Sequence, residues 1–187
     1  MKHKIFFTAA LLVLLSIFSA KADSTDAWTE DYISIEKSIR QPVFPSRSTD
    51  VTRYGARPDA SPRVNRDAIN RAIADVSKKG GGRVVVPAGH YYTGAISLQS
   101  GVNLEVSKGA VIEFVFEPEL YPIVKTRWEG IDCYNLQPCI YAYGAKDIAV
   151  TGEGTIDGGG TNDTWWKWCG AAKYGWKEGT VSQRNGA

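Results

Sequence analysis

Histidine and cysteine are scarce in this sequence, which has two histidines and three cysteines among 187 residues. His90 is the only histidine outside the first few residues, which argues against a Cys/His metal cluster and leaves one candidate imidazole base. Cys133, Cys139 and Cys169 are odd in number, so at least one has no partner within the chain. Whether Cys133 and Cys139 form a bridge depends on how closely their Cβ atoms approach, which the sequence leaves open. We predict no metal site and no cofactor.

Long apolar runs are absent beyond the N-terminus. Lys2 and Lys4 precede an apolar run over residues 5–18, and Ala20-Lys21-Ala22 follows it. These parts are typical of a secretory signal peptide, here residues 1–22. The run is too short for a transmembrane helix, which needs about 20 apolar residues. The chain is therefore expected to be exported, secreted or periplasmic, with no membrane association after cleavage.

An excess of positive charge is also absent outside that leader. Residues 1–22 hold three of the 22 basic residues and none of the 20 acidic ones. The other 19 basic and 20 acidic residues leave a net charge of −1. A nucleic-acid-binding protein normally carries a strongly basic patch, so nucleic acid is not an expected partner.

Glycine is missing from the first 54 residues, and all 19 glycines lie at or after Gly55. We predict an N-terminal extension over residues 23–49, with a short helix near residues 31–40, and a folded domain over residues 50–187. One helix is clear over Asn65–Lys79, because apolar residues recur there at helical spacing. Asn65 is its predicted N-cap, and Gly80-Gly81-Gly82 end it.

Short strands with glycine turns follow the helix. The predicted strands are Arg83–Val86, Tyr91–Thr93, Ala95–Leu98, Val102–Val106, Val111–Phe114, Ile140–Tyr143, Ile148–Thr151 and Thr155–Asp157. The first strands repeat at an offset of 20 residues and later ones at 44, with Glu117–Pro138 as an inserted loop. Such a repeat favours a solenoid of parallel strands closed by the helix, over an antiparallel sandwich.

Several segments resemble known proteins. Residues 51–56 and 80–89 resemble the entry to pectate-lyase-like right-handed β-helices. The segments 92–98, 108–112, 126–130 and 151–158 resemble the N-terminal third of bacterial glycoside hydrolase family 28, the polygalacturonases. The resemblance extends from Asp50 to Trp168. It implies an all-β fold, a right-handed parallel β-helix of which these are the N-terminal coils, with one capping α-helix.

The resemblance also implies a reaction. Family members hydrolyse α-linked galacturonide bonds in pectin, polygalacturonate or rhamnogalacturonan with inversion, which takes two carboxylates about 6.5–9.5 Å apart. Their N-x-D, D-D, G-H-G and R-x-K motifs find no counterpart: Asn65-Arg66-Asp67 matches by letters only, and His90 is followed by Tyr91. No catalytic residue is therefore predicted here. We expect a truncated, monomeric N-terminal portion that is inactive by itself.

Substrate contacts are predicted within the inserted loop. Arg127 offers a fork to a uronate carboxylate, Trp128 a stacking face, and Glu129 a neighbouring acid, although Arg127 and Glu129 could simply pair. Asp157 and Asp163, near glycine turns, fit turn formation better than catalysis. Tryptophans near the end fit either a carbohydrate platform or a cover over apolar coils: Trp165, Trp166, Trp168 and Trp176.

Two other functions stay open. One is a non-catalytic β-helix that binds polysaccharide, as adhesins do. The other is a pectate lyase or epimerase, a class in which lyases use a calcium-binding acidic cluster and a basic residue. Lyases leave an unsaturated uronate that absorbs in the ultraviolet, hydrolases leave only a new reducing end, and a binding protein leaves neither.

Overall fold

The computed structural model describes residues 27–165, with side chains from residue 31 onward. The predicted leader, Cys169 and the tryptophans at 166, 168 and 176 lie outside the described residues. The chain divides into two compact units between Gln41 and Pro42. In the described part, no helix is both long and apolar enough to cross a bilayer.

The first unit contains helix α1, Ala27–Ser38. It begins before the predicted start at residue 31, and the Ser38 hydroxyl donates a hydrogen bond to the Ile35 carbonyl at 2.6 Å. Apolar side chains along α1 are largely exposed, with Tyr32 62% and Ile35 58% exposed.

The second unit is built mainly from short strands, with one long helix packed against them. Its helical elements are a 3-10 helix over Val51–Tyr54, helix α2 over Pro62–Lys78 and a 3-10 helix over Pro118–Leu120. Its strands are β1 Ser48–Asp50, β2 Gly82–Val86, β3 Gly89–Thr93, β4 Ile96–Ser97, β5 Val102–Val106, β6 Ala110–Phe114, β7 Ile123–Trp128, β8 Ile131–Leu136, β9 Ile140–Tyr141, β10 Ala149–Thr151 and β11 Thr155–Asp157. The described chain is therefore mostly strand with two α-helices, and the eight predicted strands are all present within a few residues.

Three of the four sheets are parallel. The strand orders are β1-β2-β5-β10, β11-β6-β3 and β4-β9, whereas β7 and β8 form an antiparallel pair. Successive strands β2, β3 and β4 lie in three different sheets, and the chain returns to the first sheet at β5. Parallel neighbours therefore come from successive repeats, as the sequence repeat predicts.

The register of the second sheet corrects the predicted offset. Strands β2 and β5 pair Val84 with Leu104, an offset of 20, but β3 and β6 pair Tyr91 with Ile112, an offset of 21. The turn between β5 and β6 is one residue longer than the turn between β2 and β3. Because a shift by one residue moves a strand's side chains to the opposite face, the longer turn is what allows Tyr91 and Ile112 to be buried together.

The later offset of 44 is correct in one sheet and wrong in the other. Ile112 pairs with Ile156 as predicted, whereas Leu104 pairs with Val150 and not with Ile148. Leu104 and Ile112 are eight residues apart, whereas their partners Val150 and Ile156 are only six residues apart. An even shift of two residues leaves the faces unchanged, so the hydrophobic pattern alone does not reveal it.

The core lies between the sheets and α2. Strand residues such as Val84, Leu104 and Ile112 are fully buried, and α2 contacts strands β1 to β5. Its buried apolar face consists of Ala68, Ile69, Ala72, Ile73 and Val76. This face covers the strand core, so the helix contributes apolar area that the short strands could not bury alone.

The start of α2 corrects the predicted N-cap. The helix begins at Pro62, with Ser61 as the N-cap, because proline is favoured in the first turn, where its missing N–H is not needed. Asn65 lies inside the helix and is fully buried. Its Oδ1 accepts the Arg57 N–H at 2.9 Å, and its Nδ2 donates to the Tyr92 carbonyl at 3.0 Å. Asn65 therefore connects the segment before α2, the helix and β3.

Helix α2 ends at the glycine run, as predicted. The helix ends at Lys78, and the Gly81 N–H donates to the Val76 carbonyl at 2.9 Å. Gly81 has φ +96°, and a Cβ there would lie 2.5 Å from the Gly101 oxygen. Only glycine allows the chain to turn this close to the next repeat.

We predict that Asn65→Ala lowers the free energy of unfolding by about 2–4 kcal/mol, because it leaves buried backbone groups at Arg57 and Tyr92 unpaired. Urea unfolding measures the change. Arg63→Ala, an exposed position on the same helix, is the control and is expected to cost less than about 0.5 kcal/mol. Equal effects of the two substitutions would contradict the role assigned to Asn65.

Candidate functional site

The predicted inserted loop is an ordered β-hairpin in the structure. Strands β7 and β8 pair in antiparallel register from Ile123–Leu136 to Trp128–Ile131. Glu129 and Gly130 form the two-residue turn, with φ values of +48° and +88°. Positive φ at both central positions is typical of the type I′ turn that matches the twist of a hairpin.

The hairpin separates two of the predicted substrate contacts. Arg127 lies opposite Asp132, and Trp128 lies opposite Ile131. Because successive side chains of a strand point to opposite faces, Arg127 and Trp128 lie on different faces of the hairpin. Glu129 lies in the turn at its tip.

A groove of about 390 Å³ runs along the Arg127 face. Its walls come from the hairpin and from the segment around β9, and the lining residues are Lys125, Thr126, Arg127, Asp132, Ile140, Tyr141, Ala142 and Tyr143. The Tyr141 hydroxyl donates to the Lys125 carbonyl at 2.6 Å, which ties β9 to the hairpin. A volume of this size accommodates about one sugar unit.

Three charged side chains meet in this groove. Asp132 lies 3.8 Å from the Lys125 ammonium and 3.5 Å from Arg127 Nε. All three are largely exposed, and exposed ion pairs of this kind contribute little to stability. The groove therefore has two cations, one anion and a net positive charge that is accessible to a ligand.

The Lys125 ammonium lies beside an aromatic ring. Its nitrogen is 5.8 Å from the centroid of Tyr143. The hydroxyl of Tyr143, and then the charges of Tyr143 and Asp132, raise the pKa of Lys125 above its ordinary value. Lys125 thus stays positively charged at any physiological pH.

Arg127 is held in place by the hairpin itself. Its Nη2 donates to the Gly130 carbonyl at 3.0 Å, and its Nε faces Asp132. The pairing of Arg127 with Glu129 that the sequence left open is replaced by this pairing with Asp132. Within residues 27–165, Nη1 has no hydrogen-bond or ion-pair partner, so part of the guanidinium fork remains available.

The arrangement suits an anionic sugar. Lysine and arginine bind carboxylates by charge-assisted hydrogen bonds, and the exposed ring of Tyr143 offers a flat apolar surface. Trp128 is 67% exposed on the other face and can stack only on a ligand that passes over the hairpin tip. The roles of Arg127, Trp128 and Glu129 remain predictions.

Lys125, Asp132 and Tyr143 were not among the residues predicted from the sequence. A signal for the first two exists: Lys125-Thr126-Arg127 and Asp132-Cys133-Tyr134 alternate around the Glu-Gly turn, which indicates a hairpin with the charged residues on one face. Tyr143 has no local signal, because only the pairing of β9 with β4 brings it to the groove.

Other reactive side chains lie away from the groove or have structural partners. Cys133 and Cys139 are both free thiols, and burial raises the pKa of Cys139. His90 pairs with Glu113 at 2.7 Å, and Asp157 accepts the Gly159 N–H at 2.9 Å, as expected of a turn former. Across residues 27–165, no group of three or more potential metal ligands occurs.

Comparisons with known proteins find relatives among the polygalacturonases that the motifs resemble. The chain is 39% identical to an exopolygalacturonase from Thermotoga maritima of known structure, with a TM-score of 0.74, over 83% of this chain and 35% of that one. A family 28 exopolygalacturonase from Yersinia enterocolitica is 31% identical, with a TM-score of 0.52, over 61% of this chain and 21% of that one. No family model matches the chain.

A curated relative from Vitis vinifera, named "Probable polygalacturonase", is 30% identical over 113 residues, which are 56% of this chain and 23% of that protein. The chain spans about a quarter or less of the length of the curated relatives that it matches. The resemblance to the N-terminal portion of family 28 polygalacturonases is confirmed by these similarities.

We predict that Glu129→Asn raises the free energy of unfolding by about 0.5 kcal/mol, because asparagine tolerates the left-handed conformation required at this turn. Glu129→Val is expected to lower it by about 1 kcal/mol, because a β-branched residue is strained there. Thermal unfolding of the two variants gives the comparison. A Glu129→Val variant that is more stable than the Glu129→Asn variant would contradict the turn geometry.

Proposed function

We propose that this chain is the N-terminal portion of an exported glycoside hydrolase of the polygalacturonase type, which cleaves galacturonide bonds in pectin. The observation that carries the proposal is the similarity to the Thermotoga maritima exopolygalacturonase over 83% of the chain. The basic, aromatic groove of the hairpin supports it, because galacturonate carries a carboxylate on every ring.

The architecture that we propose is a right-handed parallel β-helix, of which the described strands are the first coils. Three parallel sheets, built from strands that return after 20 or 21 residues in the first two sheets, support this arrangement. Helix α2 would cap the first coil. Each further coil would extend the sheets β1-β2-β5-β10 and β11-β6-β3 by one strand.

The proposed role of the groove is to bind a uronate carboxylate. Lys125 and Arg127 would provide the charge-assisted hydrogen bonds, and Asp132, which attracts both cations, would occupy them until the substrate carboxylate displaces it. Trp128 and Glu129 would contact neighbouring sugar units at the hairpin tip. We propose no residue of this chain as general acid or base, because the reaction takes two carboxylates on either side of the bond and the lining of the described groove contains one, Asp132.

We expect that Lys125→Met and Arg127→Met each raise the dissociation constant for oligogalacturonate about three- to tenfold, because each removes one charged contact to the carboxylates. Isothermal titration calorimetry at low salt measures the effect. Lys108→Met is the matched control, since Lys108 is 85% exposed and lines neither the groove nor the hairpin. A loss of affinity as large as this in the control would contradict a specific groove.

Asp132→Asn tests the same groove with the opposite sign. If Asp132 competes with the substrate carboxylate for the two cations, its neutralisation is expected to tighten oligogalacturonate binding about two- to fivefold. Urea unfolding should change little, because these ion pairs are exposed. Weaker binding by Asp132→Asn would overturn the proposed role of the cations.

The reaction is tested by the products of the whole protein acting on polygalacturonate. Hydrolysis gives new reducing ends without ultraviolet absorbance, whereas a lyase gives an unsaturated uronate that absorbs. Reducing ends alone would support the proposal, and an absorbing product would replace it with a lyase. Binding without either product would favour the non-catalytic polysaccharide-binding alternative.

A further inference from the structure

A second cavity lies between α2 and the base of the hairpin, apart from the groove. It has a volume of about 430 Å³. The residues that line it are Arg66, Asp67, Asn70, Ala95, Ser97, Gln99, Glu119, Pro122 and Gln137. No residue lines both this cavity and the groove. The two sites adjoin at the sheet of β4 and β9, where Ser97 of this cavity pairs with Tyr141 of the groove.

A buried polar side chain in this cavity has an unused hydrogen-bonding group. Gln137 is only 5% exposed, and its Oε1 accepts the Ser97 hydroxyl at 3.2 Å. Within residues 27–165 its amide nitrogen has no hydrogen-bond partner. Gln137 lines this cavity and also a mostly apolar one beside Tyr121 and Trp165. Buried polar groups are nearly always paired, so the unpaired amide points to a missing polar partner, which fits the cavity with the polar lining.

The surrounding groups hold Gln137 in this position. The Asn70 amide donates to the Ala95 carbonyl at 3.0 Å and accepts the Ser97 N–H at 2.8 Å, so both of its ends are engaged. The Gln137 N–H donates to the Pro122 carbonyl at 2.8 Å. These bonds fix α2, β4 and the hairpin base around the amide, and turning the amide away would break its own bond to the Ser97 hydroxyl.

The charges of the cavity select against an anion. Arg66 donates to Asp67 through Nε at 2.8 Å and Nη2 at 2.6 Å, and this ion pair largely neutralises both groups. Glu119 adds a carboxylate, so the lining is net negative, in contrast to the groove. A uronate would be repelled here, whereas a hydroxyl group can accept from the amide and donate to a carboxylate.

From this arrangement we propose that the cavity binds an uncharged sugar unit through its hydroxyl groups, with the Gln137 amide as the buried donor and Glu119 as an acceptor. The cavity is large enough for one monosaccharide. The proposal does not depend on hydrolase activity, because it concerns a different site with the opposite preference for charge.

D-galactose and D-galacturonate provide a matched pair of probes, since they differ only in whether C5 carries a hydroxymethyl or a carboxylate group. In nuclear magnetic resonance titrations of the ¹⁵N-labelled chain, galactose is expected to shift the side-chain amide signals of Gln137 in a saturable way. Galacturonate is expected to need about two- to fivefold higher concentration for the same shift, because of the Glu119 charge. No saturable shift with galactose, or equal responses to both sugars, would overturn the proposal.

Two variants and a matched control complete the test. Gln137→Met is expected to weaken galactose binding about five- to tenfold while the chain stays folded, and unchanged binding by this variant would overturn the proposal. Glu119→Gln is expected to remove the discrimination between the two sugars. Glu117→Gln, the same exposed change two residues away and outside the cavity lining, should keep it. If Gln137→Met does not fold, the two glutamate variants decide the test. Loss of the discrimination between galactose and galacturonate in Glu119→Gln alone supports the proposal, and any other pattern overturns it.

Discussion

In-register stacking of parallel strands from successive repeats is the constraint on which the rest of this structure depends. Val84 lies on Leu104 and Tyr91 lies on Ile112, so each buried side chain is covered by the equivalent side chain of the next repeat. Strands of two to five residues in these sheets bury too little area to be stable singly. Their stability therefore comes from neighbours, and α2 supplies the neighbour on the side that has no preceding repeat.

This constraint explains which features of the fold could be predicted from the sequence. Strand existence follows from local apolar patterns and glycine turns, and the parallel repeat follows from their spacing. The register depends on the number of residues in each turn, which the apolar pattern constrains only to an even or odd shift. The predicted pairing of Tyr91 was wrong by one residue, an odd shift that conflicts with the pattern of buried side chains. The predicted pairing of Leu104 was wrong by two residues, an even shift that leaves this pattern unchanged, so nothing in the pattern pointed to Val150. Asn65 was misassigned for a related reason: its partners at Arg57 and Tyr92 become neighbours only after folding.

The hairpin shows the same division at the candidate site. Its turn and the opposition of Arg127 to Asp132 are local and could have been read from the alternation around Glu129 and Gly130. Arg127, Trp128 and Glu129 were predicted as substrate contacts from their side-chain chemistry and their place in the inserted loop, but adjacent strand residues face opposite ways. The groove instead combines Arg127 with residues from β9 and the segment after it. Those residues come close only because β9 pairs with β4.

The groove and the cavity beside α2 both border the sheet of β4 and β9, and they differ mainly in net charge. The difference comes from the number of cations and carboxylates at each site. In the groove two cations share one carboxylate, and the excess is positive. Beside α2 one cation is matched by Asp67, and Glu119 makes the excess negative. None of the charged side chains at either site belongs to the buried core. The net charge of each site therefore does not depend on side chains that the core needs. Charge can therefore change at either site while the stacked strands remain intact, which separates the recognition of a ligand from the stability of the fold.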